Sequence, residues 1–221
     1  MKLETQCLHA GYSPESTTNS CAVPLYKTSS FVFNNTEHAA NLFGLRELGN
    51  IYTRLMNPTT DVLEQRVAAM EGGAAGLGIA SGTSAVFYSI INIAQEGDEI
   101  ISANNLYGGT YTQFNDILPK FGIKVKFVDP NDPANFAAAI TDKTKAIFCE
   151  SVSNPGLDVA DIKGIANVAD DHGIPLIVDS TFSTPYLTNP IEHGASIVIH
   201  SLTKWMGGHG NGIGGVVVDS G

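Results

Sequence analysis

Basic residues are scarce in this 221-residue sequence, which has 12 Lys plus Arg against 22 Asp plus Glu and a formal charge of -10. A surface with this balance repels phosphate backbones, so nucleic acid is not an expected partner. The three cysteines, Cys7, Cys21 and Cys149, are widely separated, which argues against a disulfide framework or a zinc site. The six histidines show no ligand spacing either, so no metal is expected.

Long hydrophobic runs are also absent. No segment approaches the roughly 20 apolar residues that span a bilayer, and the N-terminal stretch MKLETQCLHAGYSPE has no apolar signal core. We therefore expect no membrane partner and a cytoplasmic location. With 43% hydrophobic residues, the chain is rich enough for a sizeable core in one large domain or two small ones.

The pattern of the chain changes near residue 58. Residues 1–58 are punctuated by glycine and proline, and only TEHAANLFGLREL within them has a helical pattern. From Thr59 the stretch VLEQRVAAME carries apolar residues at helical spacing and stops at Gly72-Gly73. This change predicts an N-terminal arm over 1–58 and a packed domain over 59–221.

Short apolar runs alternate with helical stretches in the second part. Continuous runs rich in β-branched residues are typical of strands buried on both faces, and helices between them indicate crossovers in a mostly parallel sheet. The expected fold class is α/β, with helices flanking the sheet. The expected strands are AAGLGIA, EIISA, IKVKFV, AIFCE, PLIVD, SIVIHS and GGVVVD.

Ligands in such open sheets bind beyond the carboxyl ends of the strands. This rule selects a set of polar groups that follow predicted strands: Ser81, Gly82, Thr83, Asn154, Asp179, Ser201, Thr203 and Lys204. The G-x-G-x-x-G match at Gly210, Gly212 and Gly215 is not read as a dinucleotide fingerprint, because these glycines lead into a strand and not into a helix.

Lys204 stands between a strand and a glycine cluster. If it is buried among these small neighbours, its pKa falls and its amine can attack a carbonyl; the alternative is an ordinary surface lysine. Asp179, at the end of an apolar strand, is either a capping or hydrogen-bonding carboxylate or a partner for a protonated pyridine nitrogen. Together the two predict pyridoxal phosphate as the cofactor, with Lys204 as the Schiff-base lysine.

A phosphate needs hydrogen-bond donors, and Ser81-Gly82-Thr83 supplies them at the start of a helix, where the dipole also favours an anion. Ser201 and Thr203 add hydroxyls, although Ser81 alone would be read as an ordinary N-cap. Tyr107 can stack on a planar ring or be a simple packing residue. Arg54, beside Tyr52, suits phosphate binding or a surface ion pair.

These motifs resemble the Cys/Met-metabolism family of pyridoxal-phosphate enzymes, which has the aspartate-aminotransferase-like fold. The resemblance covers essentially the whole chain, and EHAANLFGLRELGNIYTR points to its O-acetylhomoserine sulfhydrylase branch. The stretches that carry it are ETQCLHAGY, AVPLYKTSSFVF, NPTTDVLEQRVAAMEGG, LYGGTY, VDSTFSTPYL and PIEHGASIVIHSLTKWMGGHG.

The resemblance implies a role for each matching residue. Lys204 in SLTK is the Schiff-base lysine, Asp179 the partner of the pyridine nitrogen, and Tyr107 the residue that stacks on the ring and assists proton movements. Asn154 lies near the ring oxygen. Tyr52 and Arg54 reach the cofactor phosphate of a neighbouring subunit, which implies a homo-oligomer, a dimer of dimers. The implied phosphate cradle is Ser81, Gly82, Thr83, Ser201 and Thr203, with Thr83 standing where a longer side chain is usual.

The implied activity is replacement of the acetate of O-acetyl-L-homoserine by sulfide or a thiol, which gives homocysteine or methionine. A cystathionine γ-synthase or a methionine or cystathionine γ-lyase is the alternative enzyme, and a catalytically inactive α/β binding fragment is the alternative from another class. The family continues well beyond residue 221, through a C-terminal domain that should hold the arginine for the substrate carboxylate. The chain is therefore expected to be an N-terminal fragment.

Overall fold

The computed structural model describes all residues from 1 to 221 and divides into two compact units, Met1–Arg66 and Val67–Gly221. Helix α3, Pro58–Glu71, crosses the division. The boundary expected after residue 58 thus coincides with the start of this helix, whereas the compact units separate inside it. None of the helices is long and apolar enough to cross a bilayer.

The N-terminal unit contains little regular structure besides α3. Helix α1, Leu3–His9, was not expected from the sequence, and α2 covers Thr36–Phe43. The side chain of Asn35 caps α2 by accepting a hydrogen bond from the His38 backbone N–H at 2.8 Å. The predicted helix TEHAANLFGLREL is shorter than expected, because it ends at Gly44 and Leu45 takes a positive φ of 53°.

Seven strands form one sheet in the C-terminal unit, in the order β1-β7-β6-β5-β4-β2-β3. Only β7 runs antiparallel to its neighbours, so the carboxyl ends of the other strands meet at one edge. All seven predicted runs are strands, which confirms the α/β class with a mostly parallel sheet. They are β1 Ala75–Ile79, β2 Glu99–Ala103, β3 Lys124–Val128, β4 Thr144–Glu150, β5 Leu176–Asp179, β6 Ile197–Ser201 and β7 Gly215–Asp219.

Helices connect the strands as the alternating pattern predicts. The stretch TYTQFNDILPKF, one of the helical stretches between the predicted strands, is broken into the end of α5 (Gly108–Thr112), a π-helical turn over Gln113–Ile117 and a 3-10 turn over Leu118–Phe121. Pro119 accounts for part of the break, because it has no backbone N–H to continue the ladder. The helices are α4 Gly82–Ile93, α5 Gly108–Thr112, α6 Pro133–Ala139, α7 Ile162–Asp171 and α8 Thr184–Leu187, with a 3-10 turn at Pro190–His193.

The core of the C-terminal unit lies on both faces of the sheet. Every residue of β2 is buried, and the first three residues of β5 are fully buried. Helix α7 presents Ile165, Ala166 and Ala169 to this core. Strands covered on both faces need continuous apolar runs, which is why these segments could be recognised in the sequence.

A buried ionisable pair joins the end of α3 to β6. Glu71 Oε1 lies 2.5 Å from His200 Nε2, and both side chains are fully buried. Asn189 adds a hydrogen bond from its side-chain amide to the Met70 carbonyl at 2.7 Å. Because a buried polar group without a partner is costly, this pair ties helix and strand together.

We expect Glu71→Ala to lower the free energy of unfolding by about 3 kcal/mol or more, because it strands His200 in the core. Urea titration followed by circular dichroism measures the change. Glu192→Ala, at an exposed carboxylate of the same unit, should change stability by less than about 0.5 kcal/mol. Equal effects of the two substitutions would contradict the assigned role of the pair.

Candidate functional site

A cavity of about 240 Å³ lies at the sheet edge where the parallel strands end. It brings together nine of the eleven residues that the sequence selected, from segments that follow β1, β2, β4, β5 and β6. The lining residues are Ser81, Gly82, Thr83, Val86, Tyr107, Thr110, Glu150, Val152, Asn154, Asp179, Thr181, Phe182, Ser201, Thr203, Lys204 and Ile213.

The N-terminus of α4 forms one wall of the cavity. Ser81 caps this helix, because its Oγ accepts a hydrogen bond from the Ser84 backbone N–H at 3.1 Å. The N–H groups of Gly82 and Thr83, in the first turn, have no carbonyl of their own helix to bond. A Cβ on Gly82 would lie 2.5 Å from Ser201 Cβ, so only glycine permits this approach of helix and strand. The result is a corner of backbone N–H donors and hydroxyls that suits an anion.

Asp179 lies at the end of β5. Unlike the corner at α4, which supplies hydrogen-bond donors, it supplies a carboxylate whose oxygens are acceptors. Its Oδ1 accepts hydrogen bonds from the backbone N–H and the hydroxyl of Thr181, at 3.0 and 2.6 Å. Burial raises the pKa of Asp179, while the Thr181 hydrogen bonds and the nearby His200 act in the opposite direction. Thr181 Oγ1 also accepts from the Ser201 backbone N–H at 2.9 Å, which links the ends of β5 and β6.

Lys204 follows β6 in a turn, where its backbone N–H donates to the Ser201 carbonyl at 3.2 Å. Its side chain lines the cavity and is exposed, so its small neighbours do not bury it. The surrounding glycines are themselves exposed and leave the amine open to solvent. Thr203 also lines the cavity, but its hydroxyl is engaged with Gly214, donating to the carbonyl at 3.2 Å and accepting from the N–H at 3.1 Å.

Tyr107 lies after β2 and directly precedes α5. Its side chain is 46% exposed, and its ring lies against Gly109, where a Cβ would come within 2.5 Å of the ring carbon Cε1. The backbone N–H of Tyr107 donates to Glu150 Oε1 at 2.8 Å. The aromatic face therefore borders the cavity with room to cover a planar ligand.

Glu150 ends β4 and is a cavity residue that the sequence reasoning missed. Burial raises its pKa to about 7, and the charge of Asp179 adds to that rise, while hydrogen bonds from the Tyr107 and Asn154 backbone N–H groups oppose it. Asn154 lies on the loop beyond β4, and its backbone N–H donates a hydrogen bond of 3.1 Å to Glu150 Oε2.

Thr181 is a second cavity residue that the sequence reasoning missed. Both residues stand at or just after a strand end, so the sheet-edge rule offered a signal for them.

Tyr52 and Arg54 belong to the N-terminal unit. Both are exposed, and the guanidinium carbon of Arg54 lies 5.3 Å from the centre of the Tyr52 ring. They line a recess in that unit together with Tyr26, Lys27, Thr28, Ser29 and Thr53.

The sequence pattern of one protein family, described as Cys/Met metabolism PLP-dependent enzyme, matches residues 4–221. The chain belongs to this family. Among solved structures, an O-acetylhomoserine (thiol)-lyase described from Campylobacter jejuni, which contains N'-pyridoxyl-lysine-5'-monophosphate, superposes with a TM-score of 0.97 at 43% identity. The match covers 100% of this chain and 55% of that one.

Relatives within the Cys/Met-metabolism family carry related names. An O-acetyl-L-homoserine sulfhydrylase of Leptospira meyeri is 57% identical over 220 residues, covering 100% of this chain and 50% of the relative. A homocysteine synthase of Schizosaccharomyces pombe is 53% identical over 219 residues, covering 99% of this chain and 51% of the relative. The chain thus spans about half the length of the curated relatives that it matches.

Glu150 gives the stability of this site a defined pH dependence. Its pKa is about 7 in the folded chain against an ordinary 4.5, so between these values the folded state holds a proton that the unfolded chain has released. Its contribution to stability is complete below the ordinary value and is lost as pH rises through about 7. We expect the wild-type free energy of unfolding, relative to Glu150→Gln, to fall by up to about 3 kcal/mol between about pH 5 and about pH 8.

Glu99 provides the matched control for this measurement. It is also buried, but hydrogen bonds from Lys126 and Thr141 lower its pKa, so it stays ionised in both states over the same pH range. The stability of Glu99→Gln relative to wild type should therefore not change with pH there, in urea titrations at a series of pH values. A rising wild-type stability relative to Glu150→Gln would refute the assignment.

Proposed function

We propose that the cavity binds pyridoxal phosphate, with Lys204 as the covalent attachment and Asp179 as the partner of the pyridine nitrogen. The observation that carries this proposal is the presence in one cavity of an accessible amine, a half-buried carboxylate at the end of β5 and the N-terminus of α4. These three groups match the aldehyde, the ring nitrogen and the phosphate of the cofactor. Membership of a PLP-dependent family supports the same reading.

The donor set fits a phosphate at the α4 corner. The N–H groups of Gly82 and Thr83 and the hydroxyls of Ser81 and Ser201 would hold it, and the missing side chain at Gly82 leaves the helix end in contact with Ser201. Thr203 would contribute less than the sequence suggested, because its hydroxyl already bonds Gly214 in both directions.

The remaining residues suit the ring. Tyr107 would cover one face of it, and Asn154 would lie beside the ring oxygen. Asp179 would hold a proton at the pyridine nitrogen, and Thr181 orients this carboxylate through two hydrogen bonds. A carboxylate that keeps the ring protonated strengthens the electron withdrawal on which the chemistry depends.

For the complete protein we propose replacement of the acetate of O-acetyl-L-homoserine by sulfide or a thiol, to give homocysteine or methionine. The names of the relatives from Leptospira meyeri and Schizosaccharomyces pombe support this substrate class. Bound pyridoxal phosphate supplies an electron sink for bonds broken at the substrate α carbon. The amine of Lys204, open to the cavity, would carry protons to and from the substrate α and β carbons.

We also propose a homo-oligomer in which Tyr52 and Arg54 contact the cofactor phosphate of a neighbouring subunit. Both side chains are exposed, and the stacked guanidinium presents donors suited to a phosphate.

Covalent attachment is tested on the chain itself. After incubation with pyridoxal phosphate and reduction with borohydride, peptide mass spectrometry should find a pyridoxyl adduct on Lys204. Lys204→Ala should lose this adduct, whereas Lys163→Ala, at an exposed lysine on α7, should retain it. An adduct of unchanged yield in Lys204→Ala would overturn the assignment.

The reaction is tested in the complete protein to which this chain belongs. With O-acetyl-L-homoserine and sulfide, we expect homocysteine and acetate in equal amounts, and at least a 10³-fold loss of rate in Lys204→Ala. Cysteine in place of sulfide separates the alternatives, since its consumption to cystathionine would identify a γ-synthase. Release of an α-keto acid without any sulfur donor would identify a γ-lyase.

A further inference from the structure

Glu150 connects two segments that line the cavity. Its two carboxylate oxygens accept from different backbone N–H groups, Oε1 from Tyr107 at 2.8 Å and Oε2 from Asn154 at 3.1 Å. Tyr107 opens α5 after β2, and Asn154 belongs to the loop after β4. Glu150 is 7% exposed, so these bonds are largely withdrawn from water.

We propose that Glu150 is a positioning residue that holds the backbone at Tyr107 and the backbone at Asn154 at a defined separation beside the cavity. An ionised carboxylate has only acceptors, so it can satisfy two N–H donors that approach from two segments. A glutamine at the same position has one acceptor and would turn its own N–H₂ towards the second donor. The geometry therefore requires a carboxylate and not only a polar side chain of this size.

Ionisation of Glu150 is electrostatically unfavourable at this position. Glu150 and Asp179 are carboxylates on adjacent strands, paired in register at the ends of β4 and β5. Burial and the charge of Asp179 both disfavour ionisation of Glu150, and the two N–H bonds are the groups that favour it. The two N–H bonds therefore offset part of the cost of ionising Glu150 beside Asp179.

This inference rests on the proposed function for its consequence, because Tyr107 and Asn154 are the residues proposed to cover the ring and flank its oxygen. The arrangement of the two N–H bonds is independent of any ligand. The two statements can therefore be tested separately.

Amide hydrogen exchange reads the two bonds directly, in the 221-residue chain without added ligand and at about pH 8, where the carboxylate is ionised. In the wild type, the Tyr107 and Asn154 amides should exchange well below the rates of unstructured peptides. In Glu150→Gln at least one should exchange about tenfold faster, and in Glu150→Ala both should, relative to amides of β2 in the same molecule. Glu99→Gln, the control of matched burial, should leave both protected.

Affinity for pyridoxal phosphate, titrated through the fluorescence of Trp205 beside Lys204, provides the second readout. We expect about tenfold weaker binding in Glu150→Gln and wild-type binding in Glu99→Gln, because lost preorganisation weakens a site. Unprotected Tyr107 and Asn154 amides in the wild type would overturn the inference, even if the variants fail to fold. So would faster exchange in Glu150→Gln with unchanged affinity. Protected amides in a wild type that binds no pyridoxal phosphate would refute the proposed function but not the bridge formed by Glu150.

Discussion

The close packing of Gly82 against Ser201 is the constraint on which the site depends. A side chain at Gly82 would place its Cβ 2.5 Å from that of Ser201, and one at Gly215 would place its Cβ 2.2 Å from the Ser81 carbonyl oxygen. The backbone of Gly82 can approach Ser201, and that of Gly215 can approach Ser81, only because neither glycine has a Cβ. They allow the start of α4, the end of β6 and the start of β7 to meet at one point, so the donors of the helix N-terminus face the same space as the residues that follow β6.

The two carboxylates of the cavity illustrate how position decides chemistry. Asp179 is bonded by the neighbouring Thr181, two residues on, so its oxygens are oriented locally. Glu150 is bonded by the Asn154 N–H, four residues on, and by the Tyr107 N–H, 43 residues away in sequence. Asp179 is thus prepared to face a ligand, whereas Glu150 is occupied by the protein itself. The same residue class at adjacent strand ends serves two purposes.

The central strands could be predicted because burial on both faces requires continuous apolar runs. All seven predicted runs are strands, although the edge strands β1 and β3 are less buried. The positions at strand ends followed from one rule of parallel sheets, which brought Ser81, Asp179 and Lys204 into one cavity. The exposure of Lys204 could not be predicted, because it depends on where the turn beyond β6 lies in space. The roles of Glu150 and Thr181 also escaped the sequence reasoning, since each depends on hydrogen bonds between segments whose separation only the folded chain defines.

Two departures from the predicted helices also arise from features that the sequence pattern does not specify. Helix α1 was missed because its stretch is only seven residues long, and none of its residues is buried. The π-helical turn over Gln113–Ile117 depends on backbone hydrogen bonds that composition does not specify. Sequence patterns predict elements well where one face is buried, and poorly where local backbone geometry or exposed termini decide the outcome.

The pairing of β1 with β7 has a consequence for the order in which the molecule can be built. The two strands join residues near opposite ends of the C-terminal unit, with Ala75 opposite Asp219 and Ile79 opposite Gly215. During synthesis, β1 cannot pair with β7 until nearly all of this unit has left the ribosome. Closing so large a loop is slow relative to local pairing, and the corner at Gly82 forms only once β7 has arrived. The corner at Gly82 is therefore among the last parts of the fold to be assembled, although its first residues are made early.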